Sequence, residues 1–279
     1  MKSVDHYCVM GNPVEHSKSP WIHARYAALT GHPVAYGKRL IPLDGFPAAV
    51  RAFMAEGGRG CNITVPFKFE AASLVSRRSA RAALADACNI LRFDGETIIG
   101  DNTDGVGLVM DLLHNAGVTL AGRDLLLIGA GGGAAGVLGP LIETRPRRVV
   151  IANRTLGKAN ALVARHATLA AAHEVDLQAV PLDAVPGQFD VLLNATATSL
   201  AGASVPVSGS VLKPGALAVD MMYGPAAAGF LRWAADHGAV GRDGLGMLVE
   251  QAAEAFLVWR GVRPPSAQVL GELREELAR

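Results

Sequence analysis

The chain alternates short apolar runs with stretches in which apolar residues recur at helical spacing. Tyr7 to Met10 reads as a strand, and Pro20 to about Thr30 as a helix stopped by Gly31. Ser19 stands where that helix wants an N-cap, with Pro20 at its first position. Val34 to Pro42 is a second strand, and Phe46 onward a helix closed by Gly57 and Gly58. Gly60 to Lys68 holds a short strand with Pro66 at its end. Strands alternating with helices predict βαβ units and a mainly parallel sheet, hence an α/β fold. After GDNTDG (Gly100 to Gly105) the character changes. A helix over about Val106 to Ala116 leads into a fresh apolar strand, Asp124 to Ile128, so a domain boundary falls near Asp104.

The strand Asp124 to Ile128 runs straight into a glycine-rich turn and a helix. Gly129, Gly131 and Ala134 fit G-x-G-x-x-A, and Gly131, Gly133 and Gly136 offer a later register; Ala130 and Gly132 complete the loop. A tight turn needs glycine first, and the next glycine must lack a Cβ so that N–H groups approach a pyrophosphate. The following strand, Arg147 to Thr155, ends in Asn153, Arg154 and Thr155 rather than in the acidic residue that holds a ribose 2′-hydroxyl. A guanidinium and a hydroxyl suit a 2′-phosphate, so the cofactor expected is NADP. Phe189 to Leu200 is the third strand of this second domain, and its polar end holds Ala195 and Thr196. Ala216 to Pro225 is a fourth, ending in Met221, Met222 and Tyr223, where methionine suits an apolar nicotinamide pocket.

In the first half, HSKSP carries Ser17 and Ser19 between a strand and a helix. One hydroxyl serves the cap; the other is surplus and suits an anion such as a carboxylate. Hydride chemistry at a carbinol carbon also needs a proton donor or acceptor on the oxygen. Lys68 and Asp104 are candidates, though spacing alone does not bring them together.

Composition narrows the class. The chain has 279 residues, half of them apolar and 18% charged, enough for two modest domains with cores. A net charge of +1 gives no reason to expect nucleic acid or an anionic membrane as partner. No run is long enough to span a membrane, and no signal-peptide layout opens the chain, so a cytoplasmic protein is expected. Cys8, Cys61 and Cys88 lack metal spacing and read as small buried hydrophobes; the eight histidines are scattered, and DNTDG lacks the oxygen spacing of a calcium loop. No metal site is expected.

The set GNPVEHSKSP, NITVPFK, GDNTDGVG, GAGGGAAG, ANRT and DGLGMLVEQAAEAF closely resembles the shikimate dehydrogenase family, in order from about Val9 to Pro264. The resemblance implies an N-terminal α/β substrate domain (residues 1–103 plus 244–279), a Rossmann NADP-binding domain (104–243) and a C-terminal helical segment returning to the first domain. It implies NADPH-dependent reduction of 3-dehydroshikimate to shikimate, in aromatic amino-acid biosynthesis, by a monomer or homodimer. Ser17 and Ser19 then match the carboxylate-binding pair, and Asn62, Thr64, Asn89 and Asp104 the contacts to ring hydroxyls. Lys68 matches the catalytic lysine with Asp104 as its partner, Gln251 a substrate contact, and Tyr223 and Gly244 the lining of the cleft. Leu248, Gln251, Ala252 and Ala255 share one helical face, so Gln251 sits on an apolar stripe and must find a partner. The chain departs from the family at Gly133, Ala134 and Ala135, where a serine and a basic residue are usual, at Ile90 in place of threonine, and in the ending of NATATSL. A quinate/shikimate dehydrogenase using NAD or NADP is the nearest alternative, and a non-catalytic binding protein on the same fold a remote one.

Overall fold

The computed structural model describes residues 4–199 and 204–278. The chain divides into two compact units: one runs to Leu108 and resumes at Leu248, and the other is Val109–Met247. The divisions fall a few residues inside two helices rather than in the loops before them.

The first unit opens with β1 (Asp5–Gly11), α1 (Ser19–Thr30), β2 (Val34–Leu40), α2 (Phe46–Ala55) and β3 (Gly58–Ile63). It continues through α3 (Lys68–Leu74), β4 (Arg77–Arg78), α4 (Ala80–Ala85), β5 (Ile90–Asp94) and β6 (Thr97–Asp101) to α5 (Asp104–Met110). The sheet order is β2-β1-β3-β5-β6-β4. β1 pairs in parallel with β2 and β3, and β4 with β6, whereas β5 lies antiparallel to β3 and β6. The β5–β6 hairpin, absent from the patterning, turns on Gly95-Glu96 with Gly95 at φ 58°. The Asp94-Gly95 pair is its local signal.

Ser19 is not the cap of α1 but its first residue: Lys18 already has near-helical angles, and the Ser19 N–H reaches the Ser17 hydroxyl at 3.3 Å. Ser17, the hydroxyl that capping left over, meets the helix end, and Ser19 is freed from that duty. Gly31, at φ 67°, stops the helix as expected. Gly57, at φ 88°, ends α2, while Gly58 already belongs to β3.

Alternation along β1 assigns the two faces of this sheet. Cys8 lies opposite Cys61, and with Met10 and Ile63 they pack on Phe46, Val50, Phe53 and Phe67 from the α2–α3 side. All three cysteines are free and buried; burial pushes the Cys88 thiol up to about 12. Tyr7 points the other way and meets the Trp259 ring at 4.5 Å between centroids.

The second unit holds β7 (Asp124–Ile128), α6 (Gly132–Glu143), β8 (Arg148–Ala152), α7 (Leu156–Ala172), β9 (Asp176–Val180) and β10 (Phe189–Asn194). β11 (Leu212–Asp220), α8 (Ala228–Asp236) and β12 (Val240–Arg242) complete its regular elements. Its sheet is wholly parallel, in the order β12-β11-β10-β7-β8-β9. Counted from β7 this is 3-2-1-4-5-6, the order of dinucleotide-binding sheets, with its switch point between β7 and β10. Every residue of β7 is buried, which is why it reads as an unbroken apolar run. The outer strands β9 and β12 are partly exposed and escaped the patterning. The helix expected to reach Ala116 loosens after Met110 into a π-helical turn, Asp111–Asn115. There the fully buried Asp111 is held by Arg242 through bonds of 2.8 and 2.5 Å.

α9 (Leu245–Arg260) and α10 (Ser266–Ala278) end the chain. Arg81 bonds both Asp101 and Glu254, tying α4 and the end of β6 to α9. Burial pushes the Asp101 carboxyl up, but that guanidinium, with Ser79 and the Asn102 N–H, outweighs it and holds the group below its usual range. Within the first unit α5 and α9 cross closely at Gly107. A Cβ there would lie 2.6 Å from the Gln251 nitrogen and 2.8 Å from its Cα. Gly271, on the exposed side of α10, has nothing within 4 Å of its Cβ position. In chemical denaturation Gly107→Ala is therefore expected to lose about 1–3 kcal/mol. Gly271→Ala should gain about 0.5–1 kcal/mol. Equal shifts in the two variants would contradict the crossing.

Candidate active site

In the first unit the parallel pairing of β1 and β3 brings both strand ends to one edge of the sheet. The Thr64 N–H bonds the Met10 carbonyl, and a Cβ on Gly11 would strike the Thr64 methyl at 2.3 Å. The loop carrying Ser17 and Ser19 leaves from the first of these ends. The segment with Asn62, Thr64 and Lys68 leaves from the second. Ser19 is buried and Ser17 half-buried.

Lys68 begins α3 and Asp104 begins α5, and the structure brings them together: Nζ to Oδ2 is 2.5 Å. Their side chains keep 14% and 6% of their exposure, so the pair is largely withdrawn from water yet reachable on the lysine side. The other carboxylate oxygen of Asp104 accepts from Asn89 Nδ2 at 2.9 Å. Asn89 is the hub of this cluster. Its amide nitrogen also faces Thr103 Oγ1 at 2.9 Å and Gln251 Oε1 at 3.3 Å, and its oxygen accepts from the Thr103 N–H at 2.8 Å. Asn102 closes the turn, accepting from the Asp104 N–H and donating to the Ala87 carbonyl.

Gln251 finds its partners on both sides. Its amide nitrogen donates to the Leu248 carbonyl at 2.8 Å, and its oxygen faces Asn89 and Thr103. Asn62 donates to the Asn89 carbonyl at 3.3 Å, and its oxygen accepts from Tyr36 at 2.7 Å. Tyr36, Asn102 and Thr103 were not singled out from the sequence. Asn102 and Thr103 lie inside GDNTDG, and their burial despite polarity was the missing signal.

The second unit gathers the glycine loop and its neighbours at the switch point. Gly129 has φ 109°, so the turn uses the earlier of the two glycine registers, and Gly131 precedes the first residue of α6. Gly136 lies inside α6, buried among helix neighbours. The Gly129 N–H bonds the Ala152 carbonyl at the end of β8, next to Asn153, Arg154 and Thr155. A Cβ on Gly129 would press on Thr196 Cγ2 and the Ala195 carbonyl oxygen at 3.1 and 3.2 Å. Gly133 faces the Met221 methyl at 3.3 Å from its Cβ position, while Gly131 has no atom within 4 Å. Gly244 is pressed against the backbone of Met221, whose carbonyl oxygen would be 2.4 Å from an added Cβ. Tyr223 opens the turn after β11, two residues beyond Met221. It belongs to this unit.

Two further residues shape these loops. Asn194 and Asp220, both buried, end β10 and β11. Asn194 accepts from Thr196, and Asp220 accepts from Ser199 and from the Met222 N–H. Burial raises the Asp220 carboxyl even against those donors. A polar residue at the end of an apolar strand was their sequence signal. Leu200, the end of the NATATSL stretch, lies outside the described residues.

These features fit a dinucleotide phosphate. Open space beside Gly131 at the N-terminus of a twelve-residue helix leaves room for a pyrophosphate against backbone N–H groups. Arg154 is exposed and makes no ion pair among the described residues, so its guanidinium is available for a further phosphate. Among the described residues no group of histidine, cysteine and acidic side chains is placed to hold a metal, and no helix is long and apolar enough to cross a membrane.

Known proteins of the same build share these elements. The profile of the shikimate dehydrogenase substrate binding domain matches residues 9–91. That of shikimate / quinate 5-dehydrogenase matches 111–203, and that of the shikimate 5'-dehydrogenase C-terminal domain 244–274. Shikimate dehydrogenase (NADP(+)) of Acidovorax sp. (strain JS42) is 64% identical over 276 residues, covering 99% of this chain and 98% of that protein. The crystal structure of an Ael1 enzyme from Pseudomonas putida superposes with a TM-score of 0.85 at 44% identity, covering 96% of this chain and 98% of the other. Shikimate 5-dehydrogenase from Thermus thermophilus, solved in complex with NADP(H) and shikimate, gives 0.84 at 30% identity, covering 98% and 99%.

Proposed function

This chain belongs to the shikimate dehydrogenase family, and on that premise we propose that it catalyses the reversible, NADPH-dependent reduction of 3-dehydroshikimate to shikimate. The step belongs to the route to chorismate and the aromatic amino acids, and the proposed compartment is the cytoplasm, where three unpaired thiols stay reduced. The observation that carries the reading is the Lys68–Asp104 contact, made between residues far apart in the chain inside a buried polar cluster.

The arrangement supports a division of roles. Both oxygens of Asp104 face donors, Lys68 on one side and Asn89 on the other, so the carboxylate acts as an acceptor. Lys68 spends one of its three protons on that contact and keeps two to give. Lys68 is therefore the acid in reduction and the base in oxidation, with Asp104 fixing its position. Ser17 and Ser19 bind the carboxylate of the acid. Asn62, Thr64, Asn89, Asp104 and Gln251 take its ring oxygens, with Tyr223 a further substrate contact.

NADP(H) supplies or accepts the hydride at the carbinol carbon. The loop Gly129, Ala130, Gly131, Gly132, Gly133 and Ala134 holds its pyrophosphate, and Asn153, Arg154 and Thr155 its 2′-phosphate. Ala195, Thr196, Met221 and Gly244 line the nicotinamide side. With Gly133, Ala134 and Ala135 offering no polar side chain in the loop, Arg154 carries the discrimination for the phosphate.

Initial rates with shikimate and with quinate, each with NADP and with NAD, test the reading; shikimate with NADP is expected to be fastest. Faster turnover of quinate with NAD would replace it by the quinate/shikimate alternative. Lys68→Ala should lower kcat by about 10²–10⁴-fold with the KM for shikimate little changed. Near-full turnover in that variant would remove Lys68 from the chemistry. Arg154→Ala should raise the KM for NADP by roughly 10-fold or more, since a charged hydrogen bond contributes about 1.5–3 kcal/mol, while leaving any NAD activity unaltered. Parallel losses with both cofactors would count against a 2′-phosphate contact.

A further inference from the structure

Behind the substrate-binding residues of the first unit stands a tyrosine that neither the sequence motifs nor the family resemblance assigns. Tyr36 lies on β2 in the same cross-strand row as Tyr7 and, through it, Gly60, so it shares a sheet face with Asn62 two residues further along β3. Its hydroxyl meets Asn62 Oδ1 at 2.7 Å.

The direction of this bond follows from the far side of the amide. Asn62 is buried, and its nitrogen bonds the Asn89 main-chain oxygen at 3.3 Å. A carbonyl oxygen only accepts, so the NH₂ group must lie there and the amide oxygen must face Tyr36. Tyr36 is then obliged to donate. Burial pushes its phenol well above the ordinary value, so the proton stays on the oxygen throughout the working range.

The ring is held as firmly as the hydroxyl. Tyr36 stacks on His23 with centroids 4.2 Å apart and planes 7° from parallel. His23 is fully buried, and loss of solvent drives its pKa down to about 3, so the stacking partner is neutral and brings no charge beside the phenol. Trp259 lies 5.4 Å from the same imidazole, so the backing extends to α9.

We propose that Tyr36 is a positioning residue for the reaction: it locks the Asn62 amide in one orientation, so that Asn62 meets the substrate as an N–H donor and never as a carbonyl acceptor. One N–H is spent on Asn89 and one is left to donate. The proposal rests on the reading of Asn62 as a substrate contact and names what enforces it. Without the phenol, the amide oxygen loses the hydroxyl that holds it at 2.7 Å. The flipped amide, which would turn an acceptor toward a hydroxylated carboxylic acid, becomes competitive.

The test is a double-mutant cycle on the full-length protein. Tyr36→Phe keeps the stacked ring and removes only the hydroxyl. It is expected to raise the KM for shikimate about 5-fold, the equivalent of one net hydrogen bond, with the KM for NADP unchanged. Added to Asn62→Ala, or to Asn62→Ser should the alanine variant fail to fold, Tyr36→Phe should change the shikimate KM by less than about 2-fold, because its effect passes through the amide. A Tyr36→Phe enzyme with unaltered shikimate KM overturns the proposal, and so does an equal effect with and without the Asn62 side chain. Wild-type preference among shikimate, quinate, NADP and NAD tests the functional reading separately. The Tyr36 variants are compared with wild type on whichever acid it turns over.

Discussion

A carboxylate withdrawn from water is tolerated only where donors surround it, and much of the first unit is arranged to surround Asp104. Lys68 takes one oxygen and Asn89 the other. Asn89 is itself buried, so its amide must be satisfied in turn, which draws in Thr103 and Gln251. Gln251 belongs to α9, nearly 150 residues along the chain, and Gly107 lets that helix approach α5 closely enough to join. The return of the C-terminal helices to the first sheet thus completes the hydrogen bonding of a buried acid. The Lys68–Asp104 pair and the chain crossover answer to the same requirement.

The second unit solves a different problem. Its fully parallel sheet buries both faces of the central strands and leaves only loops at the strand ends to do chemistry. Small residues dominate there for a steric reason. Gly129 and Gly244 sit where neighbouring backbone leaves no space for a side chain, while Gly131 sits where the space stays open for a ligand. Asn194 and Asp220, at the ends of β10 and β11, hold the flanking loops from below through hydrogen bonds to hydroxyls and main-chain N–H groups.

Much of this was legible in the linear chain wherever the signal was local. The glycine loop, the strand before it and the arginine one strand later follow from spacing, since a turn is set by neighbouring residues. The alternation of strands and helices announced the α/β class. The β5–β6 hairpin was passed over because its turn signal is only a two-residue pair. The strands β9 and β12 were passed over because partly exposed edges carry weak patterns. The HSKSP segment shows a surplus hydroxyl, but its residue types do not say which serine meets the helix end. A cap depends on where the backbone enters helical angles, and Lys18 enters them one residue early.

By itself the sequence determined the class of fold, the glycine-rich loop and, through its motifs, the family. Spacing and pattern, apart from the family motifs, left open every relation between residues that are distant in the chain. Lys68 with Asp104, Asn89 with Gln251, and Tyr36 with Asn62 are pairs separated by 36, 162 and 26 residues. Periodicity and propensity act over a few residues and carry no information about such meetings. Register in the sheet, the close crossing of α5 with α9 and the demand that buried polar groups be satisfied decided them.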